Sequence, residues 1–341
     1  MSQDRRVAEA GAVSAVQNVI PTTSELTWRD RWVHVLARLG VRRGDWRVAP
    51  GLYAVGNPTP QSPVFVTANY ALSFDALRSA LRGVDGYILV LDTDGINVWC
   101  AAGKGTFGTG ELVRRIGIVG LAQAVSHRRL ILPQLGAPGV AAHRVLRQAG
   151  FRVEYGPVRA ADLPEYLRTG QAAPDMRRVR FDLADRLVLV PVELVHMILP
   201  MLLLSALAYL LGGGLASLAV VAAVLAGVVL FPVLLPWIPS GDFSSKGFIL
   251  GALVSLPLAV AAVLDSPAGA LGLGAARALA LVLVVAAATA YLALNFTGAT
   301  PLTSRSGVKA EIYAYVPVMG WSAGVGVLLL LASQIAGSFV G

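Results

Sequence analysis

The sequence predicts a Rossmann-like α/β domain followed by an all-α transmembrane domain of about five helices. Three observations favour this fold class. Short apolar runs alternate with helical segments before residue 172, and longer apolar segments follow from residue 187. The net charge of +8 lies entirely in the first part, because residues 187–341 hold four basic and four acidic side chains.

Changes in composition divide the chain into four parts. We expect a flexible tail at 1–25, an α/β domain at 26–172, a basic linker at 173–186 and a transmembrane domain at 187–341. No apolar segment follows Arg5 and Arg6, so the N-terminus does not have the pattern of a secretory signal peptide. The α/β domain is therefore expected in the cytoplasm.

The elements of the α/β domain follow from its periodicity. Thr27 is expected to cap a first helix, and residues 46–55 are expected to be extended. Apolar runs predict strands at 63–68, 86–91, 129–132 and 151–155. Helical spacing predicts helices near 74–81, 97–103, 109–124, 140–148 and 161–168. This alternation is typical of a parallel sheet covered on both faces, with ligands at the carboxyl ends of the strands. The loops at those ends are 67–70, 92–104, 134–139 and 156–158.

The C-terminal part contains five segments long enough to cross a bilayer. They are 187–211, 214–237, 247–264, 274–297 and 312–338. Basic residues concentrate before the first span and in the loops on the same side. The positive-inside rule then predicts a multi-pass protein of the cytoplasmic membrane, with its N-terminal domain in the cytoplasm.

The polar residues of the first span leave an alternative open for the membrane half, and the basic net charge raises the question of nucleic acid as a partner. Glu193 and His196 share a helix face, which is compatible with an ion path or with a polar pair satisfied by a neighbouring helix. No basic stripe with interleaved aromatics is present, so nucleic acid is not expected as a partner.

The loop after the second predicted strand carries the chemistry. Asn97 is a good N-cap, which places Cys100 in the first turn of a short helix. A helix N-terminus favours the thiolate that binds metals, and Lys104 adds positive charge. Small residues after Cys100 allow a large flat ligand to approach the backbone, while Trp99 can exclude water.

Other interpretations of this loop remain. Cys100 is the single cysteine, so an intramolecular disulfide, a Cys₂ or Cys₄ zinc site and an iron–sulfur cluster built by this chain alone are excluded. A free cysteine is also often a small core residue. The glycines at 103, 105 and 108 form a weak nucleotide-binding pattern, since a Rossmann fingerprint would directly follow a strand.

The segment Asn97–Gly105 resembles the cap-helix motif of the mercury-methylating corrinoid protein family, HgcA. Segments Pro63–Tyr70 and Leu132–Gly139 resemble the corrinoid-binding domain of the corrinoid iron–sulfur proteins of acetyl-CoA synthesis. A corrinoid domain followed by five spans also agrees with the first family.

The resemblance implies a corrinoid of the cobalamin type, bound base-off, with Cys100 as the lower axial ligand of its cobalt. A thiolate is a strong donor trans to the methyl group of Co(III)–CH₃, so the methyl can leave with its bonding electrons and reach the electrophile Hg(II). Cys100 is thus the expected catalytic and metal-binding residue of a corrinoid-dependent methyltransferase that makes methylmercury. His127 and His143 are candidate cobalt ligands by residue type alone.

The resemblance also implies roles for further residues. The cap helix would be fixed against the corrin by Asn97, Val98, Trp99, Ala101, Ala102, Gly103 and Lys104. The corrinoid tail or rim would be lined by Thr67, Asn69, Gln134, Gly136 and Ala137.

The implied partners follow from the same family. A ferredoxin-like protein with [4Fe–4S] clusters, of the HgcB type, would act as reductant, and a folate-type methyl donor would act through another methyltransferase in an anaerobic cell. One alternative function is a membrane-bound corrinoid methyl carrier of folate-linked one-carbon metabolism with a different native acceptor. Another is a non-enzymatic transport or sensor protein that binds a nucleotide.

Overall fold

The computed structural model describes residues 19–42, 44–267, 269–300 and 304–338. The chain divides into an α/β unit that runs through Val179 and a helical unit from Arg180 onward, with residues 38–40 grouped with the second. Within these described ranges, the α/β unit contains a six-stranded sheet, and the helical unit contains four helices long and apolar enough to span a membrane. The predicted fold class is therefore confirmed.

The sheet of the α/β unit has the order β1-β2-β4-β3-β5-β6. Its strands are β1 Val19–Thr22, β2 Gly51–Val55, β3 Val64–Ala68, β4 Gly86–Leu91, β5 Arg129–Leu132 and β6 Arg152–Tyr155. All neighbouring strands are parallel except β2 and β4, which are antiparallel. The four predicted strands are confirmed as β3 to β6, and the antiparallel contact makes the sheet mixed.

The edge of the sheet corrects the predicted tail. Residues 1–25 were expected to be loose, but Val19–Thr22 forms β1 and pairs in parallel with β2, with Val19 opposite Leu52. Pro21 has no backbone N–H to donate, so this segment is suited to the edge of the sheet. This segment forms a strand because it pairs with β2, which lies far away in the sequence. No local hydrophobic periodicity predicts that pairing. Residues 1–18 lie outside the described residues.

Helices cover both faces of the sheet. They are α1 Trp28–Arg38, α2 Ala71–Ala80, α3 Val98–Lys104, α4 Thr109–Ile118, α5 Leu121–Ala124, α6 Ala142–Ala149 and α7 Leu163–Thr169. Leu89 of β4 belongs to a core with Leu112 of α4. The next residue, Val90, belongs to a second core with Phe74 of α2. Strands buried on both sides are the pattern expected for central parallel strands. The single helix predicted at 109–124 is broken at Gly120, which has a positive φ of 60°.

A charged network fixes α1 on this unit. The carboxylate of Asp30 accepts hydrogen bonds from the backbone and hydroxyl of Thr27, at 2.8 and 2.9 Å. It also accepts from Arg78 at 2.8 Å. Arg78 itself is buried and donates to Asp75 at 2.6 Å. Burial would raise the pKa of Asp30, but these hydrogen bonds and the charge of Arg78 outweigh it, so the pKa is lowered.

The lowered pKa gives a prediction for stability against pH. A depressed carboxyl pKa stabilises the fold above the ordinary aspartate value of about 3.9, and this contribution is lost as the pH falls through the folded-state pKa. Asp30→Asn should lower the free energy of unfolding by about 1 kcal/mol at neutral pH, the usual scale of a helix cap. The difference from wild type should shrink in acid. Urea unfolding of the detergent-solubilised chain, followed by tryptophan fluorescence, measures both. Asp45→Asn is the control, because the Asp45–Arg42 ion pair is exposed and should contribute little.

The helical unit begins with α8 Leu183–Leu187, which leads into a long apolar segment. The remaining helices are α9 Val190–Leu225, α10 Phe231–Leu234, α11 Phe243–Leu264, α12 Leu271–Phe296 and α13 Arg305–Gly337. A π-helical turn at Ala226–Leu230 joins α9 to α10. The four candidate spans are Leu183–Leu234, Phe243–Leu264, Leu271–Phe296 and Ser306–Gly337.

The first candidate span contains a reversal of the chain. Gly213 has non-helical angles, φ 74° and ψ −166°. The hydroxyls of Ser205 and Ser217 lie 2.7 Å apart, whereas twelve residues of continuous helix would separate them by about 18 Å. The two limbs correspond to the separate spans predicted at 187–211 and 214–237. Five spans were predicted and four candidate helices are found among the described residues. The difference arises because Leu183–Leu234 is counted as one helix, whereas the prediction divided it at 212–213.

The polar pair of the first span lies near the start of α9. Nδ1 of His196 is 2.7 Å from the carbonyl oxygen of Val192, one turn earlier in the same helix. Among the described residues, no group of three His, Cys, Asp or Glu side chains could hold a metal ion. His196 thus has a partner within its own helix, and the ion path stays a prediction.

Candidate functional site

Helix α3 holds Cys100 in its first turn. Asn97 has an extended N-cap conformation, and its side-chain oxygen accepts a hydrogen bond of 2.9 Å from the backbone N–H of Cys100. The helix ends at Gly105, whose φ of 89° lies in the left-handed region that glycine favours. The predicted N-cap is confirmed, and the cysteine position is set by the ends of this short helix.

The two sides of α3 differ in exposure. Val98, Ala101 and Ala102 are buried and pack into the core of the α/β unit. Cys100 is exposed, as are Gly103 and Lys104 one turn later. The thiol is therefore presented on the open side of the helix, beside a residue without a side chain. The alternative of a small core cysteine does not describe this position.

A cavity of about 390 Å³ lies beside α3 in the α/β unit. Of the predicted site residues, it is lined by Thr67, Asn97, Val98 and Trp99. The ends of β5 and β6 contribute Leu135 and other apolar residues. The whole lining is Phe65, Val66, Thr67, Ser73, Ala76, Leu77, Asn97, Val98, Trp99, Ile131, Leu132, Pro133, Leu135, Pro157, Val158, Ala160 and Leu163. The cavity thus lies at the carboxyl ends of the strands, in the loops that the sequence indicated.

Asn69 has a structural role in the loop before α3, and its contact with the corrinoid stays a prediction. It is 2% exposed, and its carbonyl oxygen accepts hydrogen bonds from the backbone N–H and hydroxyl of Thr93 and from the N–H of Gly95, at 3.0, 2.8 and 3.0 Å. Its amide donates to Asp92 at 3.1 Å. Asn69 therefore organises the loop that leads into α3. Thr93, which is fully buried, was not singled out from the sequence because a threonine after a strand has no distinctive pattern.

The role of Asn69 predicts a loss of stability on substitution. Asn69→Ala would leave the buried donors of Thr93 and Gly95 without their acceptor, at a cost of about 2 kcal/mol. The midpoint of urea unfolding should fall accordingly. Asn57→Ala, at an exposed position in the loop before β3, is the matched control and should change stability little. An equal effect of the two substitutions would contradict this role for Asn69.

The loop after β5 approaches α3 closely. A Cβ on Gly139 would collide with the backbone oxygen of Phe107 and lie 3.0 Å from Cα of Ala102. A Cβ on Gly136 would lie 2.5 Å from the Phe107 ring. Gly136 is thus a packing residue in the short 3₁₀ turn Gln134–Gly136, and Ala137, partly buried, follows it. These glycines let the loop contact the cap helix.

Gln134 has a partner that sequence patterns did not indicate. Its side-chain oxygen accepts a hydrogen bond of 3.0 Å from Arg177. Arg177 lies at the end of a 3₁₀ turn, Pro174–Arg177, within the segment predicted as a basic linker. Several arginines before a membrane span are the pattern expected from the positive-inside rule. The sequence alone therefore does not show that Arg177 also makes a specific hydrogen bond.

The two candidate cobalt ligands, His127 and His143, lie outside the cavity lining. Nε2 of His127 is 2.9 Å from the carbonyl oxygen of Ser62, and its Nδ1 accepts from the N–H of Arg129. His143 is exposed on α6. Both ring nitrogens of His127 are engaged, so its geometry supports a structural role rather than cobalt ligation.

Comparison with known protein families gives a match that lies within the α/β unit. Residues 42–166 match the family model described as CO dehydrogenase/acetyl-CoA synthase delta subunit. The acetyl-CoA decarbonylase/synthase complex subunit gamma of Archaeoglobus fulgidus is 32% identical over 123 residues, which are 36% of this chain and 26% of that protein. The same subunit of Methanothermobacter thermautotrophicus is 32% identical over 173 residues, 48% of this chain and 37% of that protein.

A bacterial relative gives the same result. The corrinoid/iron–sulfur protein large subunit of Moorella thermoacetica is 29% identical over 129 residues, 37% of this chain and 28% of that protein. The chain thus spans about a quarter to a third of these relatives. The family model is named for a delta subunit and the archaeal relatives for a gamma subunit, so the similarity identifies a domain rather than a subunit. Residues 42–166 of the chain are therefore similar to the CO dehydrogenase/acetyl-CoA synthase delta subunit, and the chain is also similar in part to the corrinoid/iron–sulfur protein large subunit.

Proposed function

We propose that the α/β unit binds a base-off corrinoid with Cys100 as the lower axial ligand of cobalt, and that the chain is a membrane-bound methyltransferase that methylates Hg(II). One observation carries the proposal. Asn97 accepts a hydrogen bond from the backbone N–H of Cys100 and so fixes the start of α3. Cys100 is exposed and does not itself line the cavity, but the residues just before it, Asn97, Val98 and Trp99, do, in a chain similar to the corrinoid/iron–sulfur protein large subunit.

The residues around Cys100 suit a wide, flat macrocycle with a tail. Gly103, on the same exposed side of α3, leaves room for a ring to approach the helix backbone. The cavity of about 390 Å³ lies within the range of small-molecule sites, about 300–1,000 Å³. Thr67 and Trp99 in its lining are suitable contacts for the displaced base. Gln134, whose side-chain oxygen accepts a hydrogen bond from Arg177, would contact the rim.

A bound corrinoid supplies a cobalt centre that carries the methyl group. Cys100 would hold the cobalt through its thiolate, which would donate electron density to the metal. A bound corrinoid would in this way supply a methyl group suited to an electrophilic substrate such as Hg(II). The buried residues Val98 and Ala101 anchor α3 in the core of the α/β unit and bring no competing ligand.

The remaining parts of the proposal concern partners and location. The apolar helices would keep the α/β unit at the cytoplasmic face of the inner membrane. A ferredoxin-like [4Fe–4S] protein would restore the reduced cobalt, because the chain has one cysteine and cannot build such a cluster alone. A folate-type donor would supply the methyl group through another methyltransferase. The relatives are named as subunits, which supports a multi-protein system.

A second candidate has support of its own. The archaeal relatives are named for acetyl-CoA decarbonylase/synthase, which favours a methyl carrier of one-carbon metabolism with an acceptor other than mercury. Both candidates share the corrinoid and Cys100. They differ in the molecule that takes the methyl group.

Anaerobic purification of the full chain tests both levels of the proposal. The absorption spectrum and cobalt content should show a stoichiometric corrinoid, and a protein without cobalt would support a nucleotide-binding protein instead. Methylated protein is then offered Hg(II) or a thiol acceptor in parallel. Methylmercury formation that depends on Cys100 supports mercury methylation. Transfer to the thiol without transfer to Hg(II) supports the second candidate. His143→Ala, at an exposed site, serves as the unaffected control.

A further inference from the structure

Helix α1 carries an apolar stripe on its outward side. Trp28, Trp32 and Val35 are 77%, 55% and 42% exposed. Their spacing of four and three residues places them on one line along the helix. Two tryptophans this exposed on one short helix need a covering partner, since large exposed apolar patches usually mark an interaction surface.

Arginines flank this stripe on both sides. With 100° per residue, Arg31 and Arg38 fall on one flank and Arg29 on the other. All three are exposed. The single acidic residue of α1, Asp30, points to Arg78 on the inner side. The outward side of α1 therefore has apolar side chains in the middle and positive charges at its edges.

The inner side of α1 fixes this orientation. Ala37 is 1% exposed. Nε2 of His34 lies 2.7 Å from the carboxylate of Asp75, and Asp30 is held by Arg78 at 2.8 Å. Because these contacts all lie opposite the tryptophans, the stripe cannot turn inward without breaking them.

We propose that α1 lies flat in the interface of a bilayer that contains anionic phospholipids. Tryptophan rings prefer the headgroup level, and arginines on the flanks can reach lipid phosphates. A basic patch next to an anionic leaflet is attracted to it electrostatically. A bilayer is already available to this chain because it contains four candidate spans. The α/β unit would then make its own contact with the lipid surface, in addition to the anchoring by the transmembrane helices of the helical unit.

Quenching by brominated lipids tests this contact in the full chain. The protein has six tryptophans, so the fluorescence difference between wild type and the Trp28→Phe/Trp32→Phe variant isolates the two on α1. In proteoliposomes of brominated phosphatidylcholine and phosphatidylglycerol, we expect loss of most of this difference. This fluorescence difference should be retained in brominated phosphatidylcholine alone, which has no anionic lipid. It should also be retained at high salt, because salt screens the charge attraction.

The arginines are tested separately. The Arg29→Gln/Arg31→Gln/Arg38→Gln variant keeps both tryptophans and should lose the dependence on phosphatidylglycerol. Arg144→Gln/Arg147→Gln, on the exposed side of α6, is the matched control and should keep it. A difference signal that stays unquenched in every lipid, or that is equally quenched without anionic lipid, overturns the proposal. Shielding of these tryptophans by a soluble acidic protein but not by lipid would assign the face to a protein and also overturn it.

Discussion

Replacing Cys100 with alanine should reduce methyl transfer to Hg(II) by more than about 100-fold, because even the loss of an outer-shell partner of a metal site costs about 10- to 100-fold. In the proposed site the Cys100 sulfur would hold the cobalt and donate electron density to it, and the chain has no other cysteine. Methylmercury formation by the anaerobically purified, corrinoid-loaded protein is the measurement. If the alanine variant transferred methyl groups at the wild-type rate, the proposed ligation of cobalt by Cys100 would be contradicted.

The fold should survive this substitution. The cap hydrogen bond to Asn97 comes from the backbone N–H of residue 100, which alanine retains, and the cysteine side chain is exposed. Circular dichroism and urea unfolding should therefore match wild type. Cys100→His is the informative companion variant. An imidazole can still ligate cobalt but donates less electron density, so we expect retained corrinoid binding with most of the transfer lost.

The second large effect is expected at Gly139. In Gly139→Ala, the new methyl group would collide with the backbone oxygen of Phe107 and crowd Ala102. Both neighbours are backbone atoms, which cannot move as a flexible side chain can. Displacement of α3 should cost about 3 kcal/mol, the upper range for overpacking, and should weaken corrinoid retention. Cobalt content after gel filtration and the urea midpoint report the two effects.

Gly110→Ala provides the matched control. Nothing lies within 4 Å of the position that its Cβ would occupy, and the residue lies in α4, where alanine is favoured over glycine by about 1 kcal/mol. Stability should be unchanged or slightly increased, with full cobalt content. If Gly139→Ala behaved like Gly110→Ala, the close packing of the loop on the cap helix would not matter for the site.

Local patterns were enough to predict the central strands and the Asn97 cap. The segment 86–91 is a continuous apolar run, and every residue of β4 is buried, so local hydrophobicity determines it. The edge strand Val19–Thr22 was not predicted, because it depends on pairing with residues about 30 positions later. The antiparallel contact of β2 with β4 has the same origin.

The candidate site shows the same division. The position of Cys100 in the first turn follows from the neighbouring sequence. The cavity needs Trp99 from α3, Leu135 from the segment after β5 and Val158 from the loop after β6, and only the fold brings these together. Asn69 was expected to contact the ligand, yet its oxygen is used by Thr93 and Gly95. A polar side chain after a strand gives no local sign of which partner it will find.

The exposure of Cys100 has a consequence for handling and maturation of the protein. Within this chain no second thiol exists, so a sulfenic acid formed at that sulfur cannot be rescued through an internal disulfide. Further oxidation to sulfinic or sulfonic acid is not reversed by simple thiols. Soft metal ions also prefer thiolates, so free mercuric ion would compete for the same atom. Insertion of the corrinoid before exposure to oxidants or mercury would shield that sulfur, which makes the order of assembly a determinant of how much active protein a cell obtains.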